Sequence, residues 1–159
     1  MNKSAQEYQA IVHAPFGSVG IIMANGFLVN IDLLASRPKS ISGGAGPVAG
    51  VVTMIQHYLQ NPAASLKTKL KIEGTEFQNK VWKRLQQIPM GKTQTYGQLA
   101  EELNSSARAI GNACRSNPCP LVIPCHRVVG KSGLGGFSGQ RSGPKLEIKR
   151  WLLMHEGWL

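Results

Sequence analysis

From residue 8 to residue 34 the apolar positions come in short runs broken by turn residues, the pattern of a small antiparallel sheet. Ala10-Ile11-Val12-His13-Ala14 reads as a strand and Pro15-Phe16-Gly17-Ser18 as a turn. Val19 to Met23 forms a second strand, and Asn25-Gly26 is a strong two-residue hairpin signal because both positions accept the positive φ of a primed turn. Phe27 to Leu34 then returns as a third strand. Residues 35–46, rich in Gly, Ser and Pro, predict a surface loop. Pro47 suits the first turn of a helix, where its missing N–H costs nothing. That helix runs to about Gln60, with Val48, Val51, Val52, Ile55 and Leu59 on one face. Leu66 to Ile72 alternates and predicts one more strand.

At Thr75 the period changes. Phe77, Val81, Trp82 and Leu85 recur at helical spacing, and the run stops at Ile88-Pro89-Met90-Gly91. A helix near Tyr96–Leu103 is followed by Asn104-Ser105-Ser106, whose side chains can cap the next one, Ala107 to about Ser116. Two short helices joined by a three-residue polar turn make a helix-turn-helix candidate. Leu121-Val122-Ile123 reads as a short buried strand ended by Pro124, and a last helix covers about Pro144 to His155. The expected fold is α+β: a small antiparallel sheet with a helix over residues 1–73, then a mostly helical domain over 74–159.

Composition narrows the partners. Formal net charge is +10, and residues 73–159 carry 12 basic and 6 acidic side chains. Such an excess favours a polyanion, since each phosphate contact releases counterions, although a merely basic surface has the same composition. No apolar run reaches the ~20 residues needed to span a bilayer, and the polar start Met1–Glu7 lacks a signal peptide's apolar core. The expected location is therefore the cytosol. Cys114, Cys119 and Cys125 form an odd, clustered set that does not read as a disulfide framework. Their spacing before His126 suggests a metal at first sight, but no second ligand pair exists elsewhere, so neither metal nor cofactor is expected.

The densest chemistry lies in Asn117-Pro118-Cys119-Pro120-Leu121-Val122-Ile123-Pro124-Cys125-His126-Arg127-Val128. Cys125 falls where the chain leaves an apolar run for a turn, a good position for an accessible thiol. On a strand, neighbouring side chains point to opposite faces. Cys125 and His126 therefore cooperate only if the turn bends the chain or a water bridges them. Given that bend, His126 can accept the thiol proton, and Glu156 is a candidate to orient the imidazole. On adjacency alone, the commoner state of a free cysteine is a small buried hydrophobe.

Ile123-Pro124-Cys125-His126-Arg127-Val128 resembles the acceptor motif of 6-O-alkylguanine-DNA alkyltransferases, the methylated-DNA–protein-cysteine methyltransferases. The likeness extends in order through Gly74-Thr75-Glu76-Phe77-Gln78, Val81-Trp82, Thr95-Tyr96-Gly97, Ala107-Arg108-Ala109-Ile110-Gly111, Asn117-Pro118 and Gly136-Phe137-Ser138-Gly139. In the first 73 residues only the general plan matches.

The resemblance implies a ribonuclease-H-like N-terminal domain and a winged-helix-like C-terminal domain. It implies direct-reversal repair of double-stranded DNA: one irreversible transfer of a methyl or other alkyl group from O6 of guanine to Cys125. O4 of thymine is left open as a second source, as is cooperativity on DNA, and the protein is expected to act as a monomer. His126 would activate the thiol through a water, Glu156 would hold the histidine, and Asn117 would brace the reactive turn. Arg108 matches the finger that occupies the gap left by the everted nucleotide, with Arg115 on the same helical face. Ala107 and Gly111 are small enough to let that helix approach the minor groove closely. Tyr96, Val128, Phe137 and Ser138 match the guanine pocket. Phe137 stands where a tyrosine is common, which leaves no hydroxyl at that position.

Three other readings stay open on residues alone. A damage sensor related to alkyltransferase-like proteins would replace the acceptor cysteine, commonly with tryptophan, whereas Cys125 is present. A thiol hydrolase or redox enzyme would use Cys125 and His126 but leave Arg108 and Tyr96 without a role. A plain DNA-binding regulator would have no use for Cys125.

Overall fold

The computed structural model describes residues 8–137 and 139–159. The chain divides into two compact units, Met1–Ile72 and Glu73–Leu159.

In the first unit, β1 (Ala10–Ala14), β2 (Gly17–Ala24) and β3 (Phe27–Leu34) form an antiparallel sheet with β2 in the centre. The turn before β2 is shorter than the sequence suggests, because Gly17 and Ser18 already pair with Ala14 and His13. Asn25 and Gly26 have φ values of 52° and 82°, as a type I′ hairpin requires. Helix α1 (Pro47–Gln60) packs on β1 and β2 through Val48, Val51, Ile55 and Tyr58. Tyr58 takes the buried place expected of Leu59, which is only half-buried.

The strand expected over residues 66–72 is corrected. Exposure does alternate there, but the segment meets β3 at a single bridge, Leu28 to Leu70. Alternation reports which side chains face the core; a ladder also needs a neighbouring strand to run alongside, and β3 does so for one residue.

In the second unit, α2 (Glu76–Leu85), α3 (Tyr96–Glu102), α4 (Ala107–Arg115) and α5 (Pro144–His155) surround a core that includes Trp82, Leu99, Ile110 and Leu152. Two reciprocal capping boxes, Thr75 with Gln78 and Thr95 with Gln98, fix where α2 and α3 begin. Ser106 caps α4 by accepting from the Ala109 N–H at 3.1 Å. The buried Trp82 indole donates to the Ala113 carbonyl at 2.9 Å and ties α2 to α4. Strands β4 (Gln94–Thr95) and β5 (Val128–Val129) form a two-residue parallel pair.

The second correction concerns Leu121-Val122-Ile123. All three are buried, yet they lie in turns, and Leu121 adopts φ 78°. Such a value is a true outlier for a branched side chain. Ile123 N–H bonds back to Cys119 O at 2.9 Å, which closes a loop that a strand could not form.

Candidate active site

Pro124 leads into a single 3-10 turn, Cys125–Arg127, which ends as β5 begins. This turn supplies the bend that the Cys125–His126 pair needs. Cys125 is only 6% exposed, yet it lines a cavity of about 820 Å³. Tyr96, Arg108, Gly111, Cys114 and Phe137 line the same cavity.

Behind the sulfur lies a buried ionic network. His126 Nε2 donates to Glu156 Oε2 at 2.9 Å, and both residues are buried. Arg127 donates through Nε to Glu156 Oε1 and through Nη2 to Oε2, each at 2.9 Å, and through Nη1 to the Ile88 carbonyl at 2.6 Å. The carboxylate accepts the Nε2 proton, so the lone pair of the neutral ring sits on Nδ1. Among the described residues Nδ1 has no protein partner. Burial lowers the His126 pKa, with Glu156 pulling the other way, which keeps the ring neutral and fit to act as a base. Burial raises the Cys125 thiol, offset in part by a hydrogen bond from Asn117 and by the Lys149 charge. The thiol is therefore not ionised in advance and needs that base.

Asn117 spans the reactive turn. Its Nδ2 donates to Ile123 O at 2.7 Å and its Oδ1 accepts from Cys119 N–H at 2.9 Å. The backbone strained at Leu121 is thus held on both sides. Burial raises the Tyr96 hydroxyl, which stays protonated and donates to Gly136 O at 3.2 Å.

Lys149 has no accessible surface. Its ammonium donates to the carbonyls of Val128 at 2.6 Å, Leu134 at 2.5 Å and Gly136 at 3.0 Å. It also lies 5.6 Å from the centre of the Tyr96 ring. Burial pulls its pKa down to about 8, while the Cys125 and Cys114 thiols act in the opposite sense. One cation therefore pins the glycine-rich wall of the cavity.

Of the residues expected at the site, Tyr96, Ala107, Arg108, Gly111, Arg115 and Cys125 line the cavity, as does Phe137. Arg108 and Arg115 are exposed at its rim. His126, Glu156 and Asn117 stand behind the sulfur. Val128 contributes its carbonyl to Lys149 rather than a surface to the cavity. Ser138 lies outside the described residues. Cys114 lines the cavity and Cys119 is buried in the turn; neither forms a disulfide. Arg127 and Lys149 were not foreseen. The signal for Lys149 was present: it falls inside the apolar stripe Ile148, Leu152 and Leu153 of α5, where a solvated lysine has no place.

Residues 76–158 match the family model described as the DNA-binding domain of 6-O-methylguanine DNA methyltransferase. A methylated-DNA–protein-cysteine methyltransferase of Shigella flexneri is 49% identical over 89 residues, covering 54% of this chain and 49% of that protein. The matched part therefore spans about half that relative's length. One from Mycolicibacterium paratuberculosis is 35% identical over 140 residues, covering 84% of each. The crystal structure of Mycobacterium tuberculosis OGT in complex with DNA superposes with a TM-score of 0.75 at 31% identity, covering 92% of this chain and 90% of that one. A family model matching more than half of the chain, a cysteine set over a buried His–Glu pair, and a helix-turn-helix at the cavity rim agree: this chain belongs to the 6-O-methylguanine DNA methyltransferase family.

Proposed function

We propose that this chain repairs alkylated guanine in duplex DNA by moving the alkyl group from O6 onto Cys125 in a single turnover. The observation that carries the reading is Cys125 at the wall of a cavity of about 820 Å³, with a neutral His126 fixed by Glu156 behind it. His126 Nδ1 takes the thiol proton through a bridging water. The sulfur attacks the alkyl carbon, the carbon–oxygen bond breaks, and its electron pair passes to guanine, which gains a proton as it leaves. The product thioether is not reversed by thiolate chemistry, so each molecule acts once, and the balance needs no cofactor.

The remaining residues serve access. A base inside the stack cannot reach the sulfur, so the nucleotide must be everted. Arg108, in the first turn of α4, occupies the gap, while Ala107 and Gly111 let the helix approach the minor groove. Tyr96 and Phe137 flank the everted base, and Asn117 keeps the sulfur in place. The same reading makes the chain a monomer on double-stranded DNA in the cytosol; no helix among the described residues is long and apolar enough to cross a membrane.

Incubation with a duplex carrying O6-methylguanine should add one methyl group per protein molecule, mapped by peptide mass spectrometry to Cys125. Cys125→Ala should keep DNA binding and lose transfer. Turnover of many duplexes per protein, or label on another residue, would overturn the reading.

A further inference from the structure

A second groove lies apart from the thiol. Lys80, Lys83 and Arg84 share one face of α2, at i, i+3 and i+4, and Gln87 follows just past its end. These side chains and Glu102, Leu103 and Asn104 line a groove of about 470 Å³. Arg84 is tied to Glu102 at 2.8 Å. Lys80 and Lys83 are exposed and have no ion-pair partner among the described residues. One acid therefore answers one of three cations.

Two features decide what such a groove accepts. Leu103 is its only apolar side chain, so it offers no hydrophobic anchor of the kind on which protein interfaces depend. It is also continuous with the proposed DNA face: Leu103 and Asn104 open the α3–α4 turn, Ser106 caps α4, and Arg108 lies in the first turn of that helix. From Lys80 to Lys83 the helix rises ~4.5 Å, between one and two phosphate steps of ~3.4 Å per strand along the duplex axis. Gln87 and Asn104 add neutral donors of the type that contact phosphate oxygens without reading sequence.

We infer that this groove seats the sugar-phosphate backbone of the duplex flanking the lesion, with Lys80 and Lys83 as its two phosphate contacts. The inference rests on the repair reading above. It adds a sequence-independent hold that fixes register while α4 works at the damaged base.

The test compares wild type, Lys80→Gln/Lys83→Gln, and a control with the same charge loss in the N-terminal unit, Lys39→Gln/Lys67→Gln. Affinity for a lesion-bearing duplex is measured across salt concentrations, alongside methyl transfer at saturating DNA and thermal unfolding. Each lost phosphate contact removes ~0.9 from the slope of log K against log salt. The groove variant should thus have a slope shallower by ~1.8, with unchanged unfolding and unchanged transfer at saturation, and the control should keep the wild-type slope. An unchanged slope in the groove variant, or an equal loss in the control, overturns the inference. If wild type fails to methylate Cys125, the repair reading itself falls, and that result is read independently of the slopes.

Discussion

Glu156→Gln is the substitution whose cost the structure defines best. Among the described residues the carboxylate accepts two hydrogen bonds from Arg127 and one from His126, all at 2.9 Å. An amide has a single oxygen. Placed at Oε2 it keeps His126 Nε2 and Arg127 Nη2, but its NH₂ then faces the Arg127 Nε–H, donor against donor. The Arg127 guanidinium, 9% exposed, loses its counter-charge. Removing one partner of a buried ion pair costs about 3–5 kcal/mol, a large share of a total stability of about 5–15 kcal/mol. For a chain of this size that corresponds to a melting shift of roughly 6–20 °C. Trp82, Trp151 and Trp158 all lie in the C-terminal unit, so urea unfolding followed by tryptophan emission reads that unit. Arg127→Met alone should cost a similar amount. The double variant should cost at least ~1 kcal/mol less than the two together, because nothing charged is then left stranded. Methyl transfer by Glu156→Gln, assayed where the protein stays folded, should slow by less than the ~10²–10⁴ that a positioned base is usually worth, because His126 keeps its hydrogen bond and loses only the counter-charge behind it. Additive costs, or a single-variant cost below about 1 kcal/mol, would refute the network.

Two further outcomes follow from the cavity wall. Lys149 has a folded-state pKa of about 8, below its ordinary value of 10.5. The native state thus binds fewer protons than the unfolded chain between those values, so this group's contribution to stability rises with pH across the window. The charge that pins Val128, Leu134 and Gly136 fades over the same window. The single-turnover transfer rate should therefore bend downward as pH rises past about 8, whereas Lys149→Met should lack the bend; a wild-type profile without one sinks the argument. Gly135 has φ 73°, and a Cβ there would stand 2.8 Å from Tyr96 Cε2 and 3.1 Å from the Gly130 nitrogen. Gly135→Ala should cost ~1–3 kcal/mol through left-handed strain and crowding and slow transfer, and an unchanged rate and melting point would show that the loop has room to shift.

Much of this was legible along the chain. The three antiparallel strands of the first unit follow from short apolar runs and from Asn25-Gly26, where local turn chemistry dictates the register. Thr75 and Ser106 announce their helices because a cap acts within three residues. The segments that misled are those whose conformation depends on distant neighbours. Leu121-Val122-Ile123 is as apolar as a strand, but Asn117 and the Cys119 carbonyl fold it into turns. Arg127 carries no periodic signature of its own; it is buried because a carboxylate and a backbone carbonyl from elsewhere in the sequence meet it.

Lys149 and Glu156 both belong to the last helix and its cap, while the thiol they serve lies some twenty to thirty residues earlier in the chain. During synthesis the nucleophile leaves the ribosome before either support does. Until α5 docks, the imidazole has no orienting acid and the glycine-rich wall has no anchor, so both supports arrive together with this one helix. A chain cut ahead of α5 would retain its sulfur but lose both the acid behind the imidazole and the cation behind the wall.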